Sequence, residues 1–84
     1  MTIEHQIKEF ISRNLIFSNN DFPYSDEDSF LNQGIIDSVG IMMLVVFVEE
    51  NFKISVGDSE ITRMNFDSVS RLAGYVRNKM NSGN

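Results

Sequence analysis

A serine hydroxyl can be esterified, and an aspartate beside it is an ordinary helix N-cap. The dipeptide Asp-Ser occurs four times in the 84-residue chain, at Ser29, Ser38, Ser59 and Ser68. Only Asp37-Ser38 lies between a loop that contains Gly34 and a long apolar run. A helix start presents free N–H groups and the positive end of its dipole, so an anionic phosphate on Ser38 would be tolerated there. The alternative is that Asp37 and Ser38 only cap the helix.

The elements around this junction are predicted from hydrophobic periodicity. Apolar residues recur at helical spacing over residues 3–15, 38–51 and 69–80, and Thr2 is the expected N-cap of the first helix. A short third helix is predicted over residues 58–63, and residues 65–68 are expected to cap the last helix. A polar connection of about twenty residues, 18–37, joins the first two helices. The sequence therefore predicts an all-α four-helix bundle in one domain over residues 1–84, ordered from about 2 to 81.

The predicted core comprises one apolar stripe on each of the later long helices and several anchors in the connection. The stripes are Ile41, Leu44, Val45, Val48 and Phe52, and Val69, Leu72, Ala73, Val76 and Met80. The anchors are Phe22, Tyr24, Phe30, Leu31, Ile35 and Ile36. Since the second helix is apolar on nearly every side, we expect part of its surface to face a partner or an acyl chain.

Composition excludes several classes of function. The chain has no cysteine and a net charge of −5, which disfavours disulfide scaffolds, cysteine-based zinc sites, nucleic acid and anionic membranes. The only histidine, His5, lies far from Ser38, so no nucleophile–base pair is expected and the chain is predicted not to be an enzyme. The acidic run 26–28 lacks the EF-hand pattern, so no metal site is expected. With no signal peptide and no membrane-spanning segment, we expect a cytoplasmic monomer.

Residues 30–38, Phe-Leu-Asn-Gln-Gly-Ile-Ile-Asp-Ser, followed by Glu-Glu-Asn-Phe at 49–52, resemble the acyl carrier protein family over nearly the whole chain. The resemblance implies that Ser38 accepts 4′-phosphopantetheine from coenzyme A and that Asp37 assists recognition by the transferase. The added thiol would then carry acyl or aminoacyl thioesters, since the chain has no thiol of its own. Implied partners are a phosphopantetheinyl transferase, an adenylating ligase, and synthases or acyltransferases of a specialised lipid, polyketide or cell-envelope pathway. Asp-Ser-Val-Gly at 37–40 and residues 60–66 also resemble D-alanyl carriers.

The first two turns of the second helix lack the acidic residues that carriers of central fatty acid synthesis typically present. We therefore expect docking by apolar contact, for which flexible methionines are suited. The residues expected to face a partner or the acyl chain are Val39, Gly40, Met42, Met43, Phe47, Glu49 and Glu50. Gly40 fits either a close approach or a loosely wound first turn, and Glu49 and Glu50 fit either a solvated helix end or contacts with an enzyme's arginine. An unmodified interaction module and a homodimer that buries Met42, Met43 and Phe47 remain alternatives.

Overall fold

The computed structural model describes residues 2–18 and 22–82, and its regular elements within these ranges are all helical. They are α1 (Ile3–Asn14), α2 (Ser38–Phe52), α3 (Arg63–Phe66) and α4 (Val69–Asn81), with a 3₁₀ turn at Asp58–Glu60 before α3. The predicted all-α fold, with three longer helices, one short helix before the last and a long α1–α2 connection, is confirmed.

Each α-helix begins at a short polar side chain that accepts a backbone N–H three residues later. The caps are Thr2 (3.0 Å from the N of His5), Asp37 (3.0 Å from Gly40), Thr62 (3.3 Å from Asn65) and Ser68 (3.1 Å from Arg71). These bonds satisfy N–H groups that a helix start otherwise leaves unpaired. The predicted cap of α1 at Thr2 is confirmed, and Ser68 is the residue within 65–68 that caps α4.

Helix α4 is the centre of the bundle, since it contacts α1, α2 and α3. The core that these helices enclose with the connection consists of the buried residues Ile7, Ile11, Phe30, Ile35, Ile36, Leu44, Val45, Val48, Ile54, Phe66, Val69, Leu72, Ala73, Tyr75 and Val76. At the surface, Arg77 of α4 donates a 2.9 Å hydrogen bond to Glu4 of α1. This hydrogen bond is the main reason why the pKa of the Glu4 carboxyl is lowered.

The short helix after α2 is displaced from its predicted range of 58–63. Residues 58–60 form only a 3₁₀ turn, because Ile61 has ψ 79° and leaves the helical region. Thr62 then caps a new helix, α3, which ends at Phe66. Helix α2 extends one residue beyond the predicted end at 51. It ends at Phe52 because the next residue, Lys53, adopts the left-handed conformation.

Three residues that were predicted to be buried are exposed. Met80 lies in the last turn of α4 and is 48% exposed, and Tyr24 and Leu31 in the connection are 42% and 36% exposed. Helical periodicity identifies the inward face of α4 but not how far the opposing surface extends, so the last member of the stripe was misassigned. The predicted anchors Phe30, Ile35 and Ile36 are buried, and Phe22 is half-buried.

Candidate functional site

Ser38 is the first residue of α2, and its side chain is exposed at the junction between the connection and the helix. Its neighbour Asp37 is the N-cap, and the Asp37 carboxylate accepts the N–H of Gly40 at 3.0 Å. Within the described residues, no group hydrogen-bonds to the Ser38 hydroxyl. Since Asp37 performs the capping, the hydroxyl of Ser38 is free for another role.

The other three Asp-Ser pairs place their serines differently. The Ser29 hydroxyl donates to the Asp67 carboxylate at 2.5 Å, and Ser68 is 3% exposed and caps α4. Ser59 is exposed but belongs to a 3₁₀ turn of three residues. Among the four serines, Ser38 therefore combines an exposed hydroxyl with the start of a long helix.

The backbone before Ser38 turns through a compact loop that brings two isoleucines into the core. Gly34 has φ +69°, a conformation that glycine adopts without steric cost. Ile35 and Ile36 then donate their N–H groups to the carbonyl of Phe30, at 2.9 and 3.3 Å. The side chain of Ile36 occupies the space that a Cβ on Gly40 would need. Gly40 thus allows the loop to pack directly on the first turn of α2.

A buried aspartate, Asp67, attaches this loop to the short segment between α3 and α4. Its carboxylate accepts the Ser29 hydroxyl at 2.5 Å and the N–H of Leu31 at 3.0 Å, and its carbonyl accepts the N–H of Phe30 at 2.8 Å. Asp67 is only 5% exposed, so these bonds satisfy a carboxylate that burial would otherwise destabilise. Sequence reasoning treated Asp67 only as a helix-capping candidate, since no local pattern links residues 38 positions apart.

The acidic part of the connection is attached to α1 and α4 by polar contacts. Lys8 of α1 lies 3.0 Å from the Asp26 carboxylate. Ser70 of α4 donates its N–H to the Asp26 carbonyl at 3.0 Å and its hydroxyl to Glu27 at 2.6 Å. No cluster of metal ligands is present among residues 2–18 and 22–82. These acidic residues serve to fasten the connection that positions Ser38.

A pocket of about 240 Å³ opens beside Ser38, between α2, α3 and the connection. It is lined by Leu31, Ser38, Ile41, Met42, Ile61, Thr62, Arg63, Phe66 and Asp67. Arg63 is the lining residue with a positive charge, and its guanidinium donates to the Asn32 amide oxygen at 3.0 Å. The side chain therefore reaches from α3 to the connection. Sequence reasoning did not assign Arg63 to the site, because its proximity to Ser38 arises only from the tertiary fold.

A second pocket, of about 460 Å³, lies on the opposite side of the first turn of α2. It is lined by Val39 and Met43, whose side chains are 67% and 41% exposed. Met42 is 50% exposed and lines the pocket beside Ser38 instead. The start of α2 therefore presents apolar side chains on both flanks of the serine. A partner-facing role for these residues stays a prediction.

Gly40 and Phe47, which were also expected to face a partner, are in packing contacts. Gly40 is buried beneath Ile36, and half-buried Phe47 stacks on Phe10 of α1 with ring centroids 4.3 Å apart. Phe47 also makes an edge-on contact with Phe52. These contacts join the connection and α1 to α2, and the partner-facing role of Gly40 and Phe47 stays a prediction.

The end of α2 leads into a polar cluster that holds the segment before α3. Half-buried Glu49 accepts the N–H of Val56 at 3.0 Å, whereas Glu50 is exposed. Glu60 accepts the N–H of Gly57 at 2.8 Å and the Lys79 ammonium at 3.3 Å, and these bonds lower the pKa of its carboxyl. The cluster holds the segment that leads into Ile61 and Thr62, which line the pocket beside Ser38. Docking roles for Glu49 and Glu50 stay predictions.

The residues around Ser38 suit a phosphate ester. The first turn of α2 contains no acidic residue, and the N–H groups of Ser38 and Val39 make no hydrogen bond within the described residues. Two such N–H groups at the positive end of a 15-residue helix favour a negative charge on the serine oxygen. Arg63 adds a positive side chain in the same pocket. No helix among the described residues is long and apolar enough to cross a membrane.

Comparison with known proteins yields one family model and several relatives. The model, described as "Phosphopantetheine attachment site", matches residues 5–76. A D-alanyl carrier protein of Streptococcus uberis is 32% identical over 82 residues, which cover 98% of this chain and 100% of the relative. A D-alanyl carrier protein of Streptococcus pyogenes serotype M5 is 33% identical over 76 residues, 90% of this chain and 92% of the relative. The family match includes Ser38 and every residue that lines the pocket beside it.

Proposed function

Because the chain belongs to the family of proteins with a phosphopantetheine attachment site, we propose that it is a carrier protein whose arm is attached at Ser38. The group attached in this family is 4′-phosphopantetheine, which supplies the thiol that a cysteine-free chain lacks. The observation that carries the assignment to Ser38 is its exposed hydroxyl, free of hydrogen bonds within the described residues, at the first position of α2. Its phosphopantetheine would come from coenzyme A through a phosphopantetheinyl transferase.

The chain contributes presentation and recognition. Asp37 holds the first turn of α2 through Gly40, and Asp67 holds the preceding loop, so that the Ser38 hydroxyl faces solvent in a fixed position. We infer that the Asp37 carboxylate also contributes to recognition by the transferase. Asp37→Asn separates the two roles, because asparagine caps a helix about as well as aspartate but carries no charge. A loss of modification rate without a loss of stability supports the recognition role.

We propose an aminoacyl cargo of the D-alanyl class, supplied by an adenylating ligase and used in a cell-envelope pathway. The support is that the relatives that match most of this chain are named D-alanyl carrier proteins. A fatty acyl or polyketide cargo, delivered to synthases or acyltransferases of a specialised lipid pathway, is the second candidate. The apolar pocket beside Ser38 is the observation that favours it.

Partner enzymes would dock on the exposed apolar side chains at the start of α2. Val39, Met42 and Met43 flank Ser38, and no acidic residue occupies the first turn of the helix. We therefore expect carrier–enzyme contacts whose strength depends little on salt, in contrast to docking through charges. In this proposal the chain is a cytoplasmic monomer that catalyses no reaction itself, and its partners carry out the chemistry.

Loading with coenzyme A and a phosphopantetheinyl transferase of broad specificity tests the proposed attachment. Intact-protein mass is expected to increase by one phosphopantetheine for the wild type and for Ser59→Ala, and to remain unchanged for Ser38→Ala. Ser59 is the matched control because it is exposed and also follows an aspartate. No gain for the wild type, or an equal gain for Ser38→Ala, would contradict the proposal and favour an unmodified interaction module.

The loaded protein also allows the cargo to be tested. Adenylating ligases for D-alanine and for fatty acids are supplied separately with ATP and their substrates, and the thioester is measured by mass. Transfer of D-alanine alone supports the aminoacyl assignment. Transfer of a fatty acyl group alone would contradict that assignment while leaving the carrier function intact.

A further inference from the structure

A cation without a carboxylate partner lies across the pocket beside the attachment serine. Lys8, Arg13, Arg77 and Lys79 each lie within 4.0 Å of a carboxylate, in line with the acidic composition of the chain. Lys53, Arg63 and Arg71 make no such ion pair within the described residues, and of these three Arg63 is the one that lines the pocket. Its guanidinium is held by the neutral amide of Asn32, at 3.0 Å.

A second charged residue, Asp67, also lines the pocket, but its carboxylate already accepts two hydrogen bonds. The Asp67 carboxylate accepts the Ser29 hydroxyl and the Leu31 N–H, and Asp67 is 5% exposed. Asp67 is thus committed to anchoring the connection, whereas Arg63 is exposed and reaches from α3 to the connection. Of these two charged groups, the one exposed to a ligand in the pocket is the positive one.

We propose that Arg63 binds the phosphodiester of the arm on Ser38 and holds the proximal part of the arm against α3. This inference rests on the proposed attachment at Ser38. A guanidinium is planar and matches the paired oxygens of a phosphate, which a lysine ammonium does not do. Leu31, Ile41 and Ile61 in the same pocket offer apolar contacts to the branched methyl groups that follow the phosphate in pantetheine.

Such a contact would give the two ends of the arm different conformational freedom. The phosphate end would be held at the α2–α3 pocket, and the thiol end would extend to the partner enzymes. Fixing the first bonds of a flexible arm reduces the conformations that a partner must select, which is a form of preorganisation. Arg63 is therefore a positioning residue for delivery, and it takes no part in the chemistry of the thioester.

A thermodynamic cycle between arm attachment and Arg63→Gln tests the proposal. The unfolding constant is measured in urea for apo and holo forms of the wild type, Arg63→Gln and Lys53→Gln. Lys53 is the matched control, since it is exposed, has no ion pair within the described residues and does not line the pocket. The apo-to-holo ratio of unfolding constants is expected to fall by about two- to fivefold in Arg63→Gln, as for an exposed charge pair, and to stay unchanged in Lys53→Gln.

A second readout follows the phosphate directly. The ³¹P resonance of the holo wild type is expected to differ from that of holo Arg63→Gln and to move toward it at about 1 M salt, where the contact is screened. Holo Lys53→Gln should match the wild type. If all three proteins load but show the same ratio and the same resonance, the role of Arg63 is wrong and the carrier function stands. If the wild type does not load at all, the proposed function and this inference both fail.

Discussion

Replacement of Gly40 by alanine tests how the loop before Ser38 is packed on α2. A Cβ at position 40 would overlap the Cγ2 of Ile36, and Ile36 is only 5% exposed. Overpacking of this kind costs about 1–3 kcal/mol, and the better helix propensity of alanine returns up to about 1 kcal/mol. The two terms together leave a loss of about 0–3 kcal/mol in the free energy of unfolding, and the middle of this range, about 1–2 kcal/mol, corresponds to a fall in Tm of about 4–16 °C.

Gly74 in the middle of α4 is the matched control for this substitution. Nothing lies within 4 Å of a Cβ built on Gly74. Alanine there gains helix propensity without a clash, so Gly74→Ala should raise the stability by up to about 1 kcal/mol. Urea unfolding followed by circular dichroism measures both variants under the same conditions.

The double variant Ile36→Leu/Gly40→Ala identifies the clashing atom. Leucine is not branched at Cβ and therefore has no Cγ2, so the new alanine methyl would occupy the space that the isoleucine Cγ2 leaves. The double variant should therefore be more stable than the sum of the two single effects predicts. Stabilisation by Gly40→Ala of the same size as by Gly74→Ala, or strict additivity with Ile36→Leu, would refute the packing argument.

Two further predictions concern buried polar groups. Asp67→Ala should cost about 1–3 kcal/mol and speed amide exchange at Leu31, because two hydrogen-bond donors in the connection lose their acceptor. Burial, together with the Glu60 carboxylate, raises the pKa of Tyr75 to about 12. Because the pKa of Tyr75 is higher in the folded state than in the unfolded state, its contribution to the free energy of unfolding is fully present below about pH 10. That contribution is lost as the pH rises from about 10 to about 12. Tyr75→Phe should reduce that loss by up to about 2–3 kcal/mol in alkaline unfolding curves.

Each of these predictions has a control in the chain. Asp28→Ala removes an exposed acceptor of the Ser25 N–H and should leave exchange at Leu31 unchanged. Tyr24 is 42% exposed, and Tyr24→Phe is the matched tyrosine substitution in the same alkaline unfolding curves. Equal exchange rates in Asp67→Ala and the wild type would contradict the contacts assigned to Asp67, and an unchanged alkaline transition in Tyr75→Phe would contradict the raised pKa of Tyr75.

The family and the helix that begins at Ser38 could be predicted from local sequence. Residues 30–38 carry the family resemblance, and the family match over residues 5–76 confirms it. The start of α2 at Ser38 is confirmed because a capping carboxylate and a long apolar run meet there. Both signals lie within a few residues of each other, so no tertiary information was needed.

The pocket beside Ser38 could not be predicted, because its walls come from distant segments. Arg63 and Asp67 reach the site through contacts with Asn32 and Leu31, more than thirty residues earlier in the chain. The predicted helix over residues 58–63 was wrong for a local reason. Thr62 is a strong N-cap, and it starts α3 where the prediction continued a helix.

Localisation of the arm within the chain tests the assignment of the attachment to Ser38. Trypsin cleavage at Arg13 and Lys53 releases one peptide that contains both Ser29 and Ser38, whereas Ser59 and Ser68 fall in other peptides. Fragmentation of the loaded peptide by tandem mass spectrometry then assigns the phosphopantetheine to one serine. We predict that the arm is found on Ser38 alone. An arm on Ser29, Ser59 or Ser68, or none on any peptide, would contradict it.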